Sequence, residues 1–324
     1  MATVAEAARR LVEGELVAFP TETVYGLGAD ATNPRAVAKI FALKGRPESH
    51  PLIVHFADPL AIAQWAREVP ASAMTLAARF WPGPLTMILP KAARVPAAVT
   101  GGQDGVGLRC PSHPVAQELL REFARIGSGA VAAPSANRFG HVSPTTAQHV
   151  RDEFGPELAV LDGGACGVGL ESTIVDLTRG APVLLRPGAI TRRDIEGVLG
   201  VAPAERDAAA PRASGTLAAH YAPHTALALV EARSLGAEVA RSRDVAVLAM
   251  RAKPAGIDVA AWVAAPDDPL RYGHDLYGNL RALDRSGALR ILVEAPPPLA
   301  AWEAVNDRLR RAAAGGGGTL DDEP

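Results

Sequence analysis

Lys44-Gly45-Arg46-Pro47 is followed closely by His50 and His55, so four cationic or titratable side chains bracket one loop and the apolar run behind it. A helix predicted over 34–43 ends there. A cation at a helix C-terminus is favoured by the macrodipole, and Gly45 would turn the chain, so a single Lys or Arg would be read as a cap. Four such groups exceed that need. Ala133-Pro134-Ser135-Ala136-Asn137 directly follows a predicted strand over 130–133, with Ser143-Pro144-Thr145-Thr146 behind it. Ser135 and Asn137 could cap a turn, and Ser143 or Thr145 the next helix. Combined with Lys44 and Arg46 they supply neutral donors of the kind that hold phosphate oxygens.

Phe19-Pro20-Thr21-Glu22-Thr23-Val24-Tyr25-Gly26-Leu27-Gly28 opens at the end of another apolar run, where Pro20 stops the strand. It reads either as a polar turn closed by glycines or as hydroxyl donors beside backbone that a ligand can approach closely. Arg109 and Arg186 each lie in or at the end of a strand that otherwise reads as core. An unpaired guanidinium is costly there, so each faces either a bound anion or an internal partner such as Asp176 or Glu171.

The elements that must position these residues alternate. Strands are predicted over 16–19, 52–56, 85–89, 106–110, 130–133, 159–161, 173–176 and 183–186, and helices over 34–43, 59–67, 72–80, 114–125, 145–154 and 191–199. Met1 to Glu15 suits an amphipathic helix better than a signal peptide. This is the habit of an α/β sheet covered by helices, over residues 1–202. A linker rich in Ala, Pro, Arg and Gly follows over 203–224. A smaller α/β unit over 225–314 has strands at 226–230, 245–250 and 290–293 and helices at 270–283 and 299–313. The glycine run with Asp321, Asp322 and Glu323 makes 315–324 an expected disordered tail.

The chain has 324 residues, 48% hydrophobic and 21% charged, and a formal charge of -2. That balance argues against a broad basic surface for coating nucleic acid, though not against a local positive cleft. Cys110 and Cys166 form no C-x-x-C pair, so neither a disulfide framework nor a cysteine zinc site is supported. No apolar stretch approaches membrane-spanning length, and a cytoplasmic protein is the expectation. G-x-x-x-x-G-K-[ST] and G-x-S-x-G are both missing, and Gly164 to Gly169 lacks dinucleotide spacing. Pro223 breaks the helix that a zinc pair of His220 and His224 would need.

Taken in order, the segments 20–28, 44–55, 107–111, 134–137, 143–145, 172–174 and 186–188 and the linker motif His220-Tyr221-Ala222-Pro223 resemble the YrdC-like family in its long, two-domain form. The resemblance implies a twisted mixed sheet with helices plus a smaller C-terminal α/β domain. It also implies a nucleotidyltransferase that combines L-threonine, bicarbonate and ATP into threonylcarbamoyl-AMP with release of pyrophosphate. A downstream threonylcarbamoyl transferase would then modify the adenosine beside the anticodon of tRNA, and a weak tRNA contact is compatible with this. By the same resemblance Lys44, Arg46, Ser135, Asn137, Ser143 and Arg186 cradle the phosphates, with His50, Tyr221 and the backbone of Gly105 near the nucleotide. Lys44, Arg46, Ser135 and Asn137 carry the catalytic role. Thr23, His55, Arg109, Ser172 and the backbone of Ala133 enclose threonine, with Arg109 as the fork for its carboxylate.

Attack of a carbamate on phosphorus brings two anions together, so positioning and charge neutralisation are the expected means of catalysis. No carboxylate cluster for a metal is evident, so Mg²⁺ is expected to ride on the ATP phosphates. His55 is the one candidate proton acceptor. The linker departs from the family's usual proline-containing segment at Ala213-Ser214-Gly215-Thr216, and the resemblance implies that it folds over the nucleotide through Tyr221. Two other classes of answer are an RNA-binding module and a carbamoyltransferase of the hydrogenase-maturation type. The first is disfavoured by the near-neutral charge and scarce aromatics, the second by the lack of cysteine zinc motifs and extra domains.

Overall fold

A computed structural model describes residues 2–315 of the chain; the expected tail, Gly315 apart, lies outside the described residues. The chain divides into two units. The first takes in the chain up to Arg138 together with Pro144–Thr216, and the second Phe139–Ser143 together with the chain from Leu217 onward.

In the first unit the strands are β1 (Val17–Phe19), β2 (Gly26–Asp30), β3 (Ile53–His55), β4 (Leu85–Pro90), β5 (Gly105–Arg109), β6 (Val131–Ala133), β7 (Ala159–Val160), β8 (Thr173–Asp176) and β9 (Val183–Arg186). They form one mixed sheet in the order β7-β1-β2-β6-β3-β5-β4-β8-β9. The longer helices are α1 (Val4–Val12), α2 (Pro34–Lys44), α4 (Ala71–Phe80), α6 (Pro114–Ile126), α7 (Ala147–Phe154) and α8 (Arg192–Leu199), with the single turns α3 (Ile62–Trp65) and α5 (Ala97–Thr100) between them. Helices α1 and α6 bury Ala7, Leu11, Leu119, Leu120 and Phe123 against Val17, Phe19, Val131 and Ala133. A larger core gathers Leu27, Val37, Ile40, Val54, Leu76, Met87, Leu108 and Ile195.

Local sequence accounts for the element that carries the first cation. Asn33 caps α2 by accepting from the N–H groups of Arg35 and Ala36, Pro34 occupies the first turn, and Gly45 ends the helix in the left-handed region at φ 65°. Ala36, Val37, Ile40, Phe41 and Lys44 all fall on its buried stripe. Lys44 is therefore drawn inward by its place in the helical repeat.

Strand β2 was not expected, because Gly-Leu-Gly-Ala-Asp has a low strand propensity. Tertiary crowding requires the second of its glycines: a Cβ on Gly28 would stand 2.6 Å from Val131 Cγ1 and 2.9 Å from Phe19 Cε1. The sheet thus passes through the very motif that reads in sequence as a turn.

The second unit holds a parallel sheet in the order β10-β13-β11-β12. Its strands are β10 (Ala226–Val230), β11 (Val245–Ala249), β12 (Ala261–Ala264) and β13 (Arg290–Glu294). Helices α9 (Leu235–Ala240), α10 (Pro269–Asp284) and α11 (Glu303–Gly315) accompany them. The expected strands at 226–230, 245–250 and 290–293 match three of these. Strand β12 and helix α9 escaped prediction, since Ala-Trp-Val-Ala is short and six residues make little periodicity.

Candidate active site

In the first unit, Lys44 joins two motifs that lie far apart in sequence. Its Nζ donates 2.7 Å to the Ser135 carbonyl and also donates to the Asn137 carbonyl. Burial first and Arg46 second hold its pKa well below the ordinary lysine value, with Glu153 opposing. The 134–137 segment is fixed from its other side by the first motif: Leu27 N–H donates to Pro134 O, Ala136 N–H to Tyr25 O and Tyr25 N–H to Pro144 O, all at 2.8–2.9 Å. The Thr21-to-Gly28, Lys44 and Ser135-to-Asn137 motifs therefore form one cluster.

Arg46 is 6% exposed and its Nη2 donates 3.0 Å to the Pro51 carbonyl, folding the loop that carries His50. Burial first, then Arg46 and Arg212, push the His50 pKa down to about 4. Thr23 is fully buried, its hydroxyl 2.8 Å from that of Thr21. Thr21 also accepts from the N–H groups of Thr23 and Val24 and donates to Val24 O, which makes it the staple of this turn.

Strand register brings His55, Arg109 and Ala133, three of the residues assigned to threonine, onto adjacent strands. His55 lies opposite Arg109 on β5 and opposite Val131 on β6, while Ala133 lies opposite Ile53. As the proton acceptor expected from sequence, His55 would be a weak base. Burial, then the Arg109 charge, push its pKa down to about 3, and its Nδ1 is 3.0 Å from the Ile53 carbonyl. Such a weak base takes up few protons near neutrality. Because the folded value lies below the unfolded one near 6.5, His55 and His50 both destabilise the fold as pH falls below about 6.5. His55→Gln is accordingly expected to flatten the fall in Tm with acidification, measured by scanning fluorimetry between pH 7 and 4.5; an unaltered slope would contradict the assignment.

Arg109 does meet an internal partner, but neither Asp176 nor Glu171. Its Nη2 donates 2.8 Å to Glu22 Oε1, with the two side chains 4% and 12% exposed. Asp176 is 3.2 Å from Arg179 instead. Sequence reading passed over Glu22, although an acid between two threonines at a strand exit was the available signal. Ser172 is fully buried, its hydroxyl 2.7 Å from that of Thr86. Arg186 donates to it twice, Nη2 to Ser172 Oγ at 3.1 Å and Nε to Ser172 O at 3.0 Å.

The first part of the linker belongs to this unit. Arg186 Nη1 donates 2.8 Å to Ser214 O, and the Gln103 amide both accepts from Arg212 N and donates to Arg212 O, at 2.7 and 3.1 Å. Ala210 and Ala213 pack on Ile53, Ile88, Ile174, Val183 and Leu185. Between this strap and the sheet, beside Gly105 and Gly107, remains a cavity of about 10 Å³. That volume suits a single water.

Ser143 and Tyr221 group with the second unit. Ser143 is fully buried. Tyr221 is 1% exposed, adopts φ 63°, stacks on Tyr277 at 5.8 Å and lies beneath the Arg308 guanidinium at 5.3 Å. A non-glycine residue in the left-handed region costs about 1–2 kcal/mol and persists only where its surroundings hold it.

Among the described residues no group of three or more His, Cys, Asp or Glu could hold a metal ion, and no helix is long and apolar enough to cross a membrane. Cations, hydroxyls and carbonyls placed together suit an anionic nucleotide beside a small amphoteric molecule. Residues 9–188 match the family described as Telomere recombination (Sua5, YciO, YrdC), and 190–314 the family described as Threonylcarbamoyl-AMP synthase, C-terminal domain. The threonylcarbamoyl-AMP synthase of Pyrococcus abyssi is 41% identical over 316 residues, covering 93% of this chain and 91% of its own. That of Bacillus subtilis is 41% identical over 330 residues, with 96% and 93% covered. The structure of P. abyssi Sua5 complexed with L-threonine superposes with a TM-score of 0.87 at 38% identity, covering 96% of this chain and 94% of that one.

Proposed function

We propose, from the premise that this chain belongs to the Sua5, YciO and YrdC family and carries the C-terminal domain of threonylcarbamoyl-AMP synthases, that it makes threonylcarbamoyl-AMP. The threonine amine and bicarbonate give a carbamate with loss of water; a carbamate oxygen then bonds to the α-phosphorus of ATP, and the bond to pyrophosphate breaks. The observation that carries this reading is Lys44 Nζ reaching the carbonyls of Ser135 and Asn137, which ties the cation of one motif to the Ser135-to-Asn137 segment of another far away in sequence.

In this reading Lys44, Arg46 and Arg186 neutralise the phosphates, Ser135, Asn137 and Ser143 donate to their oxygens, and His50, Tyr221 and Gly105 lie along the nucleotide. Thr23, His55, Ala133 and Ser172 enclose threonine while Arg109 takes its carboxylate. The site offers cations and hydroxyls in place of clustered carboxylates, so Mg²⁺ fits as a companion of the ATP phosphates. Catalysis then rests on in-line positioning and charge neutralisation. The 210–214 strap supports a lid role for the linker: ATP would displace it and be covered by it. Deleting the chain from Ala204 onward tests this, because unchanged turnover and ATP affinity would remove the lid. The product serves a downstream transferase that modifies tRNA in the cytoplasm.

Purified protein mixed with ATP, bicarbonate and isotopically labelled threonine is expected to yield the labelled mixed anhydride, by mass spectrometry, in step with pyrophosphate. Tight, steeply salt-dependent RNA binding without ATP turnover would instead favour an RNA-binding module.

Lys44 adds a pH signature. A triphosphate raises the pKa of a lysine that burial has depressed, so binding takes up a proton wherever the pH lies between the free and bound values. ATP affinity should therefore weaken as pH rises through that window. Calorimetry in buffers of different ionisation enthalpy reads the uptake directly, and the Lys44→Met protein should lack it.

A further inference from the structure

Among the described residues Glu22 is a carboxylate tied directly to a residue of the proposed threonine pocket, Arg109, and the proposed reaction gives it no role. Its Oε1 accepts from Arg109 Nη2 at 2.8 Å and its Oε2 from the Ser112 N–H at 3.0 Å, while its backbone carbonyl accepts from Val168 N–H at 2.7 Å. Side chain and backbone are thus anchored to three separate segments. Arg109 Nε is buried and has no hydrogen-bond partner among the described residues.

A guanidinium presents its N–H groups in one rigid plane, so fixing Nη2 fixes the direction of Nε–H as well. A buried donor without an acceptor is costly, and that cost is relieved when a carboxylate arrives. We infer that Glu22 is a positioning residue for the amino-acid substrate: it holds the Arg109 guanidinium so that its Nε–H meets the threonine carboxylate. This rests on the proposed reaction and goes beyond it, since it assigns the orientation of the carboxylate fork to an acid that does not itself take part in the chemistry.

Glu22 carries the same charge as the substrate carboxylate. Threonine before carbamoylation is a zwitterion of zero net charge, so a nearby carboxylate opposes one end and attracts the other. Orientation of Arg109 therefore outweighs the change in local charge. Thr23 follows Glu22 directly in the chain, so the same turn brings both the pocket's hydroxyl and the anchor of its cation.

Glu22→Gln is nearly isosteric, keeps an oxygen for the Ser112 N–H and withdraws the charge from Arg109. The threonine KM is expected to rise roughly 10- to 100-fold, the range for losing a charge-assisted hydrogen bond, while the ATP KM stays within about threefold. Glu22→Asp keeps the charge one methylene short and should lie between Gln and wild type. A merely structural role would raise both KM values together or lower Tm without separating them. An unchanged or lowered threonine KM in E22Q, or a parallel rise in both, overturns the assignment. Should E22Q fail to fold, E22D decides on the same criterion. Wild-type protein that neither binds threonine nor forms adenylate would remove the proposed reaction and this inference with it, whereas active wild type with an unshifted E22Q would remove the inference alone.

Discussion

Replacing Lys44 with methionine is expected to lower kcat/KM for adenylate formation by about 10²–10³-fold, the range for losing one group aimed at developing charge in a water-excluded site. The same substitution should leave Tm close to wild type. Two terms oppose each other. Removing the ammonium strands the carbonyls of Ser135 and Asn137, at about 1–3 kcal/mol for each buried acceptor left unpaired. Against that, Lys44 is 3% exposed, and burial together with Arg46 already disfavours its charge, so an apolar side chain of similar length relieves a standing penalty. Activity and stability should therefore separate. Pyrophosphate release and scanning fluorimetry on one preparation would settle the matter, and K44M turning over within tenfold of wild type would defeat the assignment.

Gly101→Ala is expected to be the most damaging single methyl addition in the first unit. Gly101 ends α5 at φ 57°, and a Cβ there would lie 2.1 Å from the Ser49 carbonyl oxygen and 2.6 Å from its carbon. Left-handed backbone and overpacking together cost roughly 2–5 kcal/mol. At the usual sensitivity of a unit this size, Tm should fall by roughly 5–15 °C. The clash is with backbone beside His50 in the loop that Arg46 folds through Pro51, so residual activity should show a raised ATP KM. Gly102→Ala is the control, since its φ of 82° carries the conformational cost with nothing within 4 Å of the added carbon. Equal losses in the two variants would mean that the contact with Ser49 contributes nothing.

Strands 173–176 and 183–186 and helix α2 could be read from the sequence because their signals are local: apolar runs between turn residues, and a proline start with a glycine stop. Strand β2 could not, since what makes its glycines acceptable is the proximity of Phe19 and Val131, one nearby and the other a hundred residues away. The same limit applied to Arg109. Its need for an anion followed from burial alone, but the choice of Glu22 over Asp176 depended on which strand exits converge.

The amino-acid order by itself determined which residue types carry charge and hydroxyl donors, where strands and helices with local signals such as β8, β9 and α2 lie, and, through eight short segments in fixed succession, the family to which the chain belongs. Tertiary structure alone decided that Lys44 meets Ser135 and Asn137, that burial and, after it, the Arg109 charge lower the pKa of His55, and that Glu22 holds Arg109. The physical reason is that a propensity acts over a few bonds of chain. Burial, pKa and hydrogen-bond partnership are set by distances through space, and sheet order fixes those only once the whole unit has closed.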